Sequence, residues 1–124
     1  MGLLPAGEAK RQDVKAKALP PAKPRGMNKL EQRMHERLSA MLASGAIAWF
    51  GYECLTFKLA GDCRFTPDFI VINLDGSIEA IETKGFFRDD AKVKTKVAAR
   101  QFPWLTFSVW KWGHGAWVTE VIKT

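Results

Sequence analysis

Apolar residues along this chain follow a helical period in two stretches and crowd into short runs elsewhere. In NKLEQRMHERLSAMLASG, Leu30, Met34, Leu38, Met41 and Leu42 recur at three- and four-residue spacing, which predicts an amphipathic helix. Asn28 is a suitable N-cap, Glu31 stands at the third helical position where a capping box wants an acid, and Gly45 ends the helix. AIAWFGYECLTFKLA suggests one or two strand pieces closing at the Gly61-Asp62 turn. RFTPDFIVIN and SIEAIETK read as two strands joined by Asp75-Gly76, a strong hairpin signal. Both are apolar on both faces for part of their length, as in the centre of a sheet covered on both sides. Residues 89–102 turn helical, with Val93, Val97 and Ala98 expected inward and Lys92, Lys96 and Arg100 largely outward, until Pro103 stops the helix. LTFSVWKW and AWVTEVI supply two more strands around Gly113-His114-Gly115. The expected fold is α/β, one domain with a mixed central sheet flanked by helices, in the order α-β-β-β-α-β-β.

Composition divides the chain in two. Residues 1–26 alternate Ala, Lys and Pro, hold four of the six prolines, and carry six basic residues against two acids. With no apolar face to bury, they read as a flexible basic arm before a folded domain over 27–124. The formal net charge of +6 therefore sits mostly in the arm, since thirteen basic and eleven acidic residues remain beyond it. Such an arm attracts polyanions without choosing among them, and the same composition suits a merely solubilising tail. The longest apolar run, Gly45 to Phe50, is far too short for a bilayer span, so no membrane partner is expected. MGLLPAGEAK lacks the long apolar segment of a secretory signal, and Ala6 departs from the myristoylation pattern. A cytoplasmic location follows as the expectation. Cys54 and Cys63 fit no C-x-x-C pattern and read as free thiols, packed or partly packed.

The chemistry concentrates in TPDFIVINLDGSIEAIETKG, residues 66–85. The turn folds the two strands antiparallel, so Asp68 meets the Glu82-Thr83-Lys84 stretch. Register decides what meets. A strict two-residue loop sets Asp68 opposite Thr83 and turns Glu82 and Lys84 to the other face. A shared site requires a three-residue loop, or a bulge at Pro67. Given that, two adjacent carboxylates suit Mg²⁺ or Mn²⁺, and the backbone carbonyl of Thr83 can add a ligand. The Lys84 ammonium would favour ionisation of a bound water and offset charge on a phosphate.

An acid-bearing helix, a hairpin with P-D and E-x-K, and a basic helix before further strands together resemble the PD-(D/E)xK nuclease superfamily. The likeness is nearest to small phage- or prophage-encoded nuclease-like proteins and Holliday-junction resolvases, and covers roughly residues 28 to 112. The resemblance implies a restriction-endonuclease-like core and metal-dependent hydrolysis of DNA phosphodiesters, with a branch or junction as preferred substrate. It implies that Asp68 and Glu82 bind the metal, that Glu31 assists, and that Lys84 positions the attacking water. Lys94 is the first choice, and Lys96 the second, for a residue reaching the scissile phosphate. Lys92, Arg100 and Arg88 complete the expected DNA-binding set. A homodimer, and a bacterial host cell if the chain is phage-encoded, belong to the same likeness.

Plainer readings stand beside these. Glu31 serves equally as a cap, and the hairpin charges as a salt-bridged strand end. Glu36 is a rival acid nearer the solvent face. The lysines of the second helix are a solvated face by default. His35 and His114 are expected at the surface, and the tryptophans mostly in packing. Two other functions remain open: a nuclease-like subunit that binds nucleic acid without cutting, and an accessory protein whose partner is another protein.

Overall fold

The computed structural model describes residues 26–59, 61–85 and 91–123. Residues 1–25 of the expected arm, Arg88, and the side chain of Lys92 lie outside the described residues.

Helix α1 (Lys29–Ser44) begins as its sequence dictates. The Glu31 amide donates to Asn28 Oδ1 at 2.8 Å, and the Asn28 amide donates to Glu31 Oε1 at 3.0 Å, a reciprocal capping box. Gly45 closes the helix at φ 81°, a left-handed conformation in which glycine bears no Cβ penalty. The strands that follow are β1 (Ile47–Tyr52), β2 (Phe57–Lys58), β3 (Arg64–Phe65), β4 (Phe69–Asn73) and β5 (Ile78–Gly85). After them come helix α2 (Ala91–Gln101), β6 (Thr106–Gly113) and β7 (Ala116–Val121).

The order is thus α-β-β-β-β-β-α-β-β rather than α-β-β-β-α-β-β. The first stretch forms the two strand pieces it allowed for, and one expected strand divides. AIAWFGYECLTFKLA yields β1 and β2, and RFTPDFIVIN yields β3 and β4. The second break falls at Thr66-Pro67-Asp68, where proline has no amide hydrogen for a ladder. β2 and β3 pair as a small ribbon apart from the main sheet.

The main sheet is mixed and five-stranded, ordered β1-β4-β5-β6-β7, with only β5 and β6 parallel. Its faces bury separate cores. Met34, Leu38, Phe50, Phe69, Val71 and Ile81 pack on the α1 side. Ile70, Ala80, Ala98, Ala99, Phe107 and Val109 pack on the α2 side. The alternation of Phe69 and Val71 against Ile70 is the period-two pattern of a strand buried on both sides.

Three local expectations are corrected. α2 turns Thr95, Ala98 and Ala99 inward, while Val93 is 69% and Val97 38% exposed. Thr95, Ala98, Ala99 and Phe102 follow i, i+3, i+4, i+7 spacing, and the small alanines let the helix sit close to the sheet, with Phe102 filling the gap against Phe57. His35 is buried rather than exposed, edge-on to Phe50 at 5.3 Å. Cys54 is exposed, and both cysteines are free thiols. Among the described residues, no helix is long and apolar enough to cross a membrane.

Candidate metal centre

The β4–β5 hairpin has the register that a shared site demands. Phe69 pairs with Ile81, Ile70 with Ala80, Val71 with Glu79 and Ile72 with Ile78. The Asn73 amide donates to the Ser77 carbonyl at 2.8 Å, so the loop is three residues, Leu74-Asp75-Gly76. Gly76 takes φ 88°, as the left-handed third residue of such loops does. Extended by one pair, this register sets Asp68 across from Glu82 rather than Thr83. The Asp68 amide donates to Glu82 Oε1 at 3.3 Å.

The Asp68 carboxylate is then held from β5. Thr83 donates to Asp68 Oδ2 with both its amide and its hydroxyl, each at 2.8 Å. Glu31 comes from the first turn of α1 on the other side. Its Oε1 accepts from the Tyr52 hydroxyl at 2.9 Å besides capping the helix, so the capping and clustered roles coincide in one side chain. A third acid, Glu53, arrives at the end of β1. Its amide donates to the Asp68 carbonyl at 2.8 Å, and its backbone is left-handed at φ 47°. Carboxylate oxygens of Glu31, Glu53 and Asp68 all lie within 4.8 Å of one another. Glu82 stands beside this triad, its Oε2 4.0 Å from Lys84 Nζ.

Crowding shows in the proton affinities. Burial, above all, pushes Asp68 up to about 6, against the two Thr83 donors that favour its charge, and the Glu31 carboxylate adds to the rise. Burial likewise lifts Glu82 to about 8, with Asp68 raising it further and Lys84 opposing. The Tyr52 phenol is raised, first by burial and then by its bond to Glu31. Hard oxygen donors from three elements, packed so closely that ionising all of them is costly, fit a hard divalent cation.

The structure therefore brings together Glu31, Asp68, Thr83, Glu82 and Lys84. The Thr83 groups turned to Asp68 are its amide and hydroxyl. Glu36 is exposed on α1. Of the expected DNA-binding residues whose side chains are described, Lys94 donates through Nζ to the Arg64 carbonyl at 3.3 Å, on the β3 side of α2. Lys96 and Arg100 line an open hollow of about 340 Å³ on α2 with Val93, Val97 and Gln101.

Glu53 is the residue that sequence reasoning missed. Its only signal is an acid following the last strand residue, and its meaning depends on Tyr52 pairing with Phe69, which sets the next residue against Asp68. Arg33 and Arg37 on α1 also escaped notice. Their guanidinium carbons lie 4.1 and 5.0 Å from the ring centroids of Trp112 and Trp110.

No protein family, curated protein or solved structure matches this chain.

Proposed function

We propose that this chain is a divalent-cation-dependent phosphodiesterase acting on DNA, built on a restriction-endonuclease-like core. One observation carries the reading: a three-residue hairpin loop aligns Asp68 with Glu82 while Glu31 and Glu53 converge on the same point. Glu31, Glu53 and Asp68 would hold a Mg²⁺ or Mn²⁺ ion, with Glu82 beside them. Bound there, such an ion lowers the pKa of a coordinated water and offsets charge on a phosphate oxygen. Glu82, raised to about 8 chiefly by burial, would accept a proton from the attacking water once a bound cation had favoured its ionised form. Lys84 is suited to hold that water's oxygen or a phosphate oxygen. Thr83 fixes the Asp68 carboxylate by donating twice to its Oδ2.

A second reading, a nuclease-like fold that holds nucleic acid without cutting, is favoured by one fact. Glu31, Asp68 and Glu82 each already accept hydrogen bonds within the fold.

Calorimetry with Mn²⁺, and cleavage of duplex, single-stranded, flap and four-way DNA, decide between them. The proposal expects Mn²⁺ binding that is lost in Asp68→Ala, and cleavage that is lost in Asp68→Ala and Lys84→Ala. Mn²⁺ and DNA binding without cleavage selects the second reading; absence of both removes both. Cutting of the four-way substrate in preference to linear DNA would assign the branch specificity.

A further inference from the structure

Arg33 and Arg37 stand one turn apart on α1, so their side chains leave the helix on one side, about 5–6 Å apart at Cβ. Both residues are exposed, and each guanidinium lies over a tryptophan ring of β6, Arg33 on Trp112 and Arg37 on Trp110. The rings are themselves held. Trp110 donates through Nε1 to Ser108 Oγ at 3.1 Å, and Trp117 of β7 packs edge-on against both, 6.1 Å from Trp110 and 5.2 Å from Trp112. A ring takes the face of a guanidinium and leaves the N–H groups along its edge for another acceptor. Among the described residues neither guanidinium has a carboxylate partner, and Glu36, which lies between them in sequence, forms no ion pair with either. The rings therefore order two positive charges without neutralising them.

Their place in the fold is next to the acids. Trp110 is the partner of Thr83 across the parallel β5–β6 pairing, and Trp112 is the partner of Gly85. Thr83 is the residue that holds Asp68, and Glu31 precedes Arg33 by two residues on α1. Ordered guanidinium edges bind anions through paired oxygens, and a phosphodiester backbone offers such anions in succession. From this we infer that Arg33 and Arg37 form a phosphate-binding track, which holds the backbone of the DNA as it runs past the metal centre. The inference rests on the phosphodiesterase reading and adds to it contacts on α1, beyond the α2 residues that the resemblance suggested. The competing role is structural, since the same ring contacts pin α1 to β6.

The test is fluorescence anisotropy of two labelled duplexes of unrelated sequence, with Ca²⁺ in place of Mg²⁺, across a salt series. It uses the full chain as wild type, Arg33→Gln, Arg37→Gln, the two combined, Arg33→Lys combined with Arg37→Lys, and Lys58→Met on β2 as an exposed control away from the site. Melting temperatures and Mn²⁺ calorimetry accompany each. Each single Gln variant should weaken binding to both duplexes about 10-fold and reduce the salt slope by about one, and the double variant should reduce it by about two. The Lys pair should keep the wild-type slope while losing part of the affinity, because charge remains without the planar fork. Lys58→Met should bind nearly as wild type does, and Mn²⁺ binding should be unchanged throughout. Wild-type affinity and slope in both single variants overturn the inference and leave the phosphodiesterase reading standing. So does a melting loss without an effect on DNA. An effect confined to one of the two duplexes also overturns it, since a backbone contact carries no sequence information. A wild type that binds no DNA removes the parent reading and this one together.

Discussion

The main-chain amide of Asp68 donates to the side chain of Glu82 across the mouth of the hairpin. That one contact requires every residue between them to keep its register, and the loop at the far end sets it.

Gly76 is therefore the residue on which the alignment turns. Its φ of 88° lies where a side chain is strained, although nothing stands within 4 Å of an added Cβ. Gly76→Ala should cost about 1 kcal/mol, from the backbone alone. Urea unfolding measures it, and a cost near zero would mean that the loop relaxes without loss.

Folded Asp68 and Glu82 hold protons more tightly than ordinary carboxylates, up to about 8 for Glu82. Between the ordinary carboxylate range and that value the folded chain binds more protons than the unfolded one, so stability falls as pH rises. Without divalent ions, the melting temperature should be higher at pH 5 than at pH 8. Mn²⁺ should raise it more at pH 8, where the carboxylates give up their protons most readily. Differential scanning fluorimetry at the two pH values reads both effects.

Glu53 is exposed and sits in a strained left-handed conformation, so it contributes little to folding. Glu53→Gln should lower Mn²⁺ affinity by at least about 10-fold, the lower end of what losing even an outer-shell partner costs, with the melting temperature unchanged. Equal affinity in the variant would remove Glu53 from the site.

Tyr52 restrains Glu31 through its hydroxyl. Tyr52→Phe should cost about 1.5–3 kcal/mol, as for a hydrogen bond to a charged group, and weaken Mn²⁺ binding less than Glu31→Gln does. Chemical denaturation and calorimetry on the same samples separate the two effects.

Much of this was legible because it is local. Asn28, Glu31 and Gly45 announce α1 through bonds within a turn, and the Asp75-Gly76 pair announces the hairpin. The three-residue loop was recognisable as a requirement before it was observed as a fact. What escaped depends on packing between distant segments. The inward face of α2 was misjudged because valine is more apolar than threonine or alanine, whereas the close approach of helix to sheet selected Thr95, Ala98 and Ala99. Glu53 has no meaning until β1 lies along β4, and Pro67 divides a strand that its apolar neighbours make continuous.

The acids that converge come from positions 31, 53 and 68, in segments that meet only when α1 has docked and β1 has paired with β4. An ion seated among them would be a clasp on the tertiary structure, since the unfolded chain holds no such arrangement. At a hundred times its dissociation constant it would add about 2.7 kcal/mol to the folded state. Loading and folding would then be linked equilibria, and the concentration of free cation would set how large a fraction of the chain stays folded.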